Sequence, residues 1–320
     1  MYKQVAIDPD GIAKSWERFK YYFDQLGTDH GRLLFKFPSK WPSKVLRSKF
    51  FNALSPINQT RVSEKLRSDY FNKQKLSCTQ KELNPTADTW IENTLMIHRE
   101  HGVLDLIVTE EETNEHAIII SFDDVDSETM GWRVDRPWRV RRGANELAAS
   151  AEQLLLKSRR TKFVDQHFHF DKPRYVNTLK SFIKILEGNP CIESVEYHLG
   201  LNSAYFDNSL DNFKTLEFNL RDDYMPKAEE SILFNKLKFI FWHNDRETLH
   251  PGKRLLHARY LLTDVGGLNY EHGLDEDTQI DSYTDVTLVD NQMISQDWDK
   301  YQESNSTFQY LGSYSISENI

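Results

Sequence analysis

The stretch HARYLLTD sets a histidine at 257, an arginine two positions on and an aspartate seven positions on. Those side chains suit phosphoryl transfer through a covalent phosphohistidine. A neutral imidazole attacks phosphorus, a cation and an amide hold the non-bridging oxygens, and a carboxylate orients the ring. On a strand, alternation puts His257 and Arg259 on one face. Asp264, an odd number of residues away, needs a turn after LLT to approach them, and Gly266 and Gly267 allow one. The same spacing equally describes a strand whose His257 and Arg259 face solvent while Tyr260 and Leu262 pack.

Such a mechanism needs a second histidine to protonate the leaving oxygen. The stretch VDQHFHFD offers His167 and His169, on one face if the chain stays extended, with Asp165 and Asp171 beside them. Two histidines and a carboxylate also suit a metal, although a polar loop edge without a ligand is the simpler reading. The acidic run DEDTQIDSYTD lacks the central glycine and terminal glutamate of a calcium loop. There is no phosphate-binding glycine loop, G-x-S-x-G elbow or H-E-x-x-H pair, so no cofactor or metal is expected.

The elements that must position these residues are those of an α/β protein. The spacing predicts helices in IAKSWERFKYYFDQLG, in SPINQTRVSEKLRSDYF after Ser55 and Pro56, and in ADTWIENTLMIHREHG before Gly102. RLLFKFP, VLDLIVTE and HAIIISFDD read as strands, and Phe35, Phe37 and Trp41 as core rather than a nucleic-acid surface. The pattern lapses in DVDSETMGWRVDRPWRVRR, which places a domain boundary near residue 140. Beyond it ANELAASAEQLLLKS, PRYVNTLKSFIKILEG and SAYFDNSLDNFKTLEFNL read as helices. KFVDQ, IESVEYHL, LKFIFWH, HARYLLT and DVTLVD read as strands. Alternating strands and helices predict a parallel or mixed sheet with its ligands at strand ends.

HARYLLTD resembles the H-x-K-x-x-x-x-D motif of the phospholipase D superfamily, with Arg259 where that family has lysine. KFVDQHF and PRYVNTLKSFIKIL resemble the opening strand and helix of such a domain. LHARYLLTDVGGLNYEHGLDE is similar to the degenerate phospholipase D-like C-terminal domains of microtubule-interacting-and-trafficking proteins. The likeness spans roughly residues 145–292. It implies His257 as nucleophile, Arg259 as phosphate ligand, Asp264 as third member, and Asn269 as a rough counterpart of the family's glycine-serine-x-asparagine element. The fold expected is thus an N-terminal mixed α/β lobe over 1–140, of unassigned role, and a phospholipase D-like domain with a mixed sheet and acidic tail over 141–320.

The departures from the family bear on activity. There is one motif rather than two, and arginine is a wide fork where lysine is a point charge. Glu271, Asp275, Glu276 and Asp277 crowd the motif and would repel a polyanion. The function expected is therefore a degenerate subunit of a multi-protein assembly, of a kind found in prokaryotic phage-defence or mobile-element operons, binding phosphate-bearing ligands or partner proteins. The alternatives are a metal-independent phosphodiesterase or nuclease pairing two His257 residues in a homodimer, and a lipid-headgroup module.

Composition bounds these readings. Seven Trp, 14 Tyr and 19 Phe supply a core, and 28% of residues are charged. No apolar run is long enough for a membrane span, Cys78 and Cys191 lie in unrelated contexts, and the N-terminus lacks a signal-peptide core, so a cytoplasmic protein away from membranes is expected. The net charge of −9 is uneven, with twelve Asp/Glu against Lys300 alone from Asp264 onward. Basic residues concentrate mid-chain. A nucleic-acid surface would draw on Arg139, Arg141, Arg142, Arg159 and Arg160, which equally fit a solvated junction.

Overall fold

The structure is a computed structural model that describes residues 2–37, 40–68, 75–76, 87–110, 116–170, 172–201, 236–277, 279, 281–305 and 307–315. The expected helix in SAYFDNSLDNFKTLEFNL, Asp171 and Cys78 lie outside the described residues. The chain divides into two compact units, Met1–Asp135 and Arg136–Ile320. The division falls before residue 140 because WRVR, expected in the connection, is an edge strand of the second sheet.

The first unit is built on four parallel strands in the order β2-β1-β3-β4: β1 (Lys3–Ile7), β2 (Arg32–Leu34), β3 (Leu106–Thr109) and β4 (Ile119–Ser121). Its helices are α1 (Trp16–Gln25), α2 (Trp41–Arg47), α3 (Lys49–Ala53), α4 (Pro56–Arg67) and α5 (Trp90–His101). Parallel strands must bury both faces, and two apolar clusters do this. Val5, Ile7, Leu34 and Val108 face one cluster, whereas Ala6, Phe35, Ile107 and Ile119 face the other. The ends are set locally. Ser55 caps α4 with Pro56 in its first turn, and Thr89 and Glu92 close a capping box on α5, which stops at left-handed Gly102. Phe35, Phe37 and Trp41 are buried, so the stretch around them is core.

The second unit carries an eight-stranded mixed sheet in the order β12-β8-β7-β6-β9-β10-β11-β5. Its elements in chain order are β5 (Trp138–Arg141), α6 (Ala144–Leu155), β6 (Arg160–Asp165), α7 (Pro173–Leu186), β7 (Ser194–Leu201), β8 (Leu237–His243), β9 (Arg259–Thr263), β10 (Gly267–Tyr270), β11 (Tyr283–Val289), α8 (Asn291–Lys300) and β12 (Tyr310–Ser315). β6, β7 and β8 run parallel, and β9 lies antiparallel against β6. The carboxyl ends of the three parallel strands therefore share one edge with the start of β9 and the end of β10.

α6 and α7 cover one face, where Phe163 meets Phe182 and the Tyr270 hydroxyl meets Ser150 Oγ at 2.7 Å. α8 covers the other, packing Ile294 with Val164, Ile240, Trp242 and Leu262. The acidic C-terminal stretch is thus not a solvated tail across 264–315: it supplies β10, β11, α8 and β12, with its carboxylates spread over exposed and half-buried positions and with Asp275 and Asp297 buried.

Candidate functional site

The motif residues separate along and across β9. His257 precedes the strand, is exposed, and lines a cavity of about 600 Å³ with Ala258 and Tyr260. Arg259 is the first strand residue, opposite Asp165 on β6. Its Nη1 donates to the Glu271 carbonyl at 2.7 Å, and its buried Nε has no hydrogen-bond partner. Alternation applies only inside a strand, so beginning β9 at Arg259 removes the shared face expected for His257 and Arg259. Asp264 stands at the far end of the strand, about 16 Å of β-structure away. There Asp264 Oδ1 accepts from the Arg159 and Arg160 backbone N–H groups at 2.8 and 3.2 Å. The turn at Gly266 is real but folds β10 back alongside β9 and does not return Asp264 to His257.

Asn269 sits within β10, between Tyr260 and Thr287, and is not part of the cavity wall. β6 ends at Asp165, so the VDQHFHFD stretch turns instead of staying extended. Phe168 enters the core against Tyr197, while His167 and His169 remain exposed and outside the cavity. His169 packs toward Tyr175. Among the described residues no three His, Cys, Asp or Glu stand together as a metal site.

The five arginines of the mid-chain clusters do not form one surface. Arg139 and Arg141 project from edge strand β5, over the Tyr283 ring and toward Glu146. Arg142 pairs with Asp275 at 3.1 Å and Asp277 at 3.3 Å. Four strands away, roughly 19 Å, Arg159 pairs with Glu193 and Arg160 lies over Trp298.

The concentration of cations that the structure does form lies on the segment joining β8 to β9. Arg246, Lys253, Arg254 and His257 line one wall of the cavity. Asp297, Lys300 and Tyr301, at the end of α8, line the other, with Tyr260 and Phe308 between. Among the described residues Asp297 is the one acid of this lining, and it is paired with Lys300 at 2.5 Å. Apart from His257, these residues were not singled out by sequence. The available signal was basic density: Arg246, His250, Lys253, Arg254 and His257 fall within RETLHPGKRLLH.

Behind α8 runs a buried polar chain. Lys162, 1% exposed, donates to Glu196 at 2.8 Å and to the Tyr301 carbonyl at 3.0 Å, and sits over the Trp298 ring. Trp242 Nε1 donates to His198 Nδ1 at 3.1 Å. Indole is a donor only, so Nδ1 must be bare and Nε2 must carry the proton given to Glu196 at 2.9 Å. Burial pushes His198 down to about 4. For Glu196 burial acts upward, but His198 and the Lys162 ammonium outweigh it and hold the carboxyl down to about 2. Burial also lowers Lys162.

No protein-family model matches the chain, and no curated protein matches it. Among solved structures it is similar to TrmBL2, an archaeal chromatin protein whose structure shows a novel mode of DNA binding. Identity is 16%, the TM-score is 0.26, and the match covers 52% of this chain and 51% of that one. The chain thus spans about half the length of that relative. No described helix is long and apolar enough to cross a membrane.

Proposed function

We propose that the second unit is a phospholipase D-like module without turnover that holds phosphate-bearing ligands in the cavity beside His257. The observation that carries this reading is the cavity wall itself: Arg246, Lys253, Arg254 and His257 gather where β9 begins, facing Asp297, an acid already paired with lysine. Position at the carboxyl edge of parallel strands is where α/β sheets hold ligands. Separation of Asp264 from His257 and diversion of Arg259 to a carbonyl favour binding over cleavage.

Calorimetry with inorganic pyrophosphate tests the binding, and a chromogenic phosphodiester in EDTA tests the cleavage. Pyrophosphate binding weakened about tenfold by Arg254→Ala is expected, since one charge-assisted contact carries roughly that much. No turnover is expected. Turnover that survives EDTA and disappears in His257→Ala would replace this reading with a phosphohistidine phosphodiesterase.

A further inference from the structure

The two walls of the cavity differ in charge, and the difference describes a ligand. The β8–β9 wall brings Arg246, Lys253 and Arg254, all cationic at neutral pH, together with His257. The α8 wall is neutral in sum, because Asp297 is buried and paired with Lys300. That wall and the residues between the two are polar and aromatic: Tyr260 and Tyr301 share the lining with Asp297, and Phe308 stacks on Tyr301 with ring centres 5.5 Å apart. Burial first, and then the nearby Asp297 carboxylate, raise both phenols, so the two hydroxyls stay protonated and can donate.

A ligand complementary to this cavity has an anionic end and an uncharged ring that presents hydroxyl or amine groups. The volume of about 600 Å³ lies in the range of small-molecule sites. A second phosphate at the α8 end would sit against Asp297 and lose its partner cations. A purely apolar tail would cover the Asp297–Lys300 pair and two phenols without offering them hydrogen bonds, a cost that polar ligand groups avoid.

We propose that the cavity takes a phosphate ester of a hydroxyl-bearing ring, with the phosphate on Arg246, Lys253 and Arg254 and the ring between Tyr260 and Asp297. This rests on the anion-binding reading above and adds the ligand's chemical class. A sugar phosphate and a nucleoside phosphate share that chemistry.

Calorimetric titration of the full chain with inorganic phosphate, ribose 5-phosphate and AMP tests it. Ribose 5-phosphate or AMP binds about tenfold or more tightly than inorganic phosphate, the worth of one or two ring hydrogen bonds. The tighter of the two identifies the source as sugar or nucleotide. Asp297→Asn collapses the affinity ratio of ester to inorganic phosphate. Tyr260→Phe, which removes only a hydroxyl and leaves the ring, lowers the same ratio should Asp297→Asn fail to fold. Equal affinity for phosphate and both esters overturns the ligand class while leaving anion binding in place. Absence of binding by all three overturns both.

Discussion

Asp264 and His257 are seven residues apart in one motif, and their surroundings assign them opposite kinds of work. The Asp264 carboxylate ties the start of β6 by accepting two backbone N–H groups, whereas His257 is exposed at the cavity. Asp264→Ala should lower stability by about 1–3 kcal/mol, the cost of unpairing backbone donors from a charged acceptor. It should leave pyrophosphate affinity within about twofold, since it acts at the other end of the strand. His257→Ala should change stability by less than about 0.5 kcal/mol, as exposed substitutions do, while weakening pyrophosphate binding. Denaturant melts and calorimetry on the two variants check the split, and a binding loss in Asp264→Ala would mean that the motif acts as one unit. The residue types drew attention to a segment that borders a cationic cavity, because His257 lines it. They could not reveal that β9 starts at Arg259, since two more extended residues would fit the same letters and would turn His257 to the other face.

The cavity's far wall is an element-scale feature, held by one lysine under one helix. Lys162 Nζ reaches the carbonyl of Tyr301, the residue that ends α8, where a cation also meets the negative end of the helix. Lys162→Met should therefore destabilise the second unit by about 2–3 kcal/mol, below the usual cost of breaking a buried pair because the Glu196 side chain is 26% exposed. It should also loosen α8, read as faster amide exchange at Asp297–Tyr301 than in wild type. Unchanged exchange would separate the lysine from the cavity wall. Much of the element order was legible: Ser55 with Pro56, Gly102 after α5, and Pro173 each announce a helix end through its own backbone needs. β5 was not, because a four-residue edge strand turns Arg139 and Arg141 outward and leaves only Trp138 and Val140 to mark it. α8 and β12 were hidden by composition. α8 carries Asp297 and Asp299 among polar residues, β12 reads YLGSYS with no fully buried position, and packing rests on scattered residues such as Ile294, Tyr301 and Phe308. Lys162 gave no signal either, since a lysine in a strand ordinarily points to water.

For the molecule as a whole, the buried chain makes acid the condition to vary. His198 titrates ordinarily near 6.5 and is held near 4 in the fold. An unfolded chain therefore takes up this proton first as pH falls, and stability is lost between about 6.5 and 4. Glu196 is held near 2 against an ordinary 4.5, so its contribution is present above 4.5 and is lost from there down to about 2. The two add in sign. Asp165 works against them: burial raises its carboxyl, so the folded state takes up that proton more readily than the unfolded one and gains relative stability on acidification. A variant that removes one titration isolates its share. Glutamine at 198 can accept from Trp242 and donate to Glu196 with a single amide, keeping both hydrogen bonds without a titrating ring. The melting temperature of the wild-type second unit should fall by about 5 °C or more between pH 7 and pH 4, given the few degrees that each kcal/mol is worth at this size. In His198→Gln that fall should shrink to the part set by the carboxylates, while the loss below pH 4.5 persists because Glu196 and Lys162 still face each other. An equal fall in both proteins would show that acid acts through the many surface carboxylates, and would remove the histidine from the account of stability.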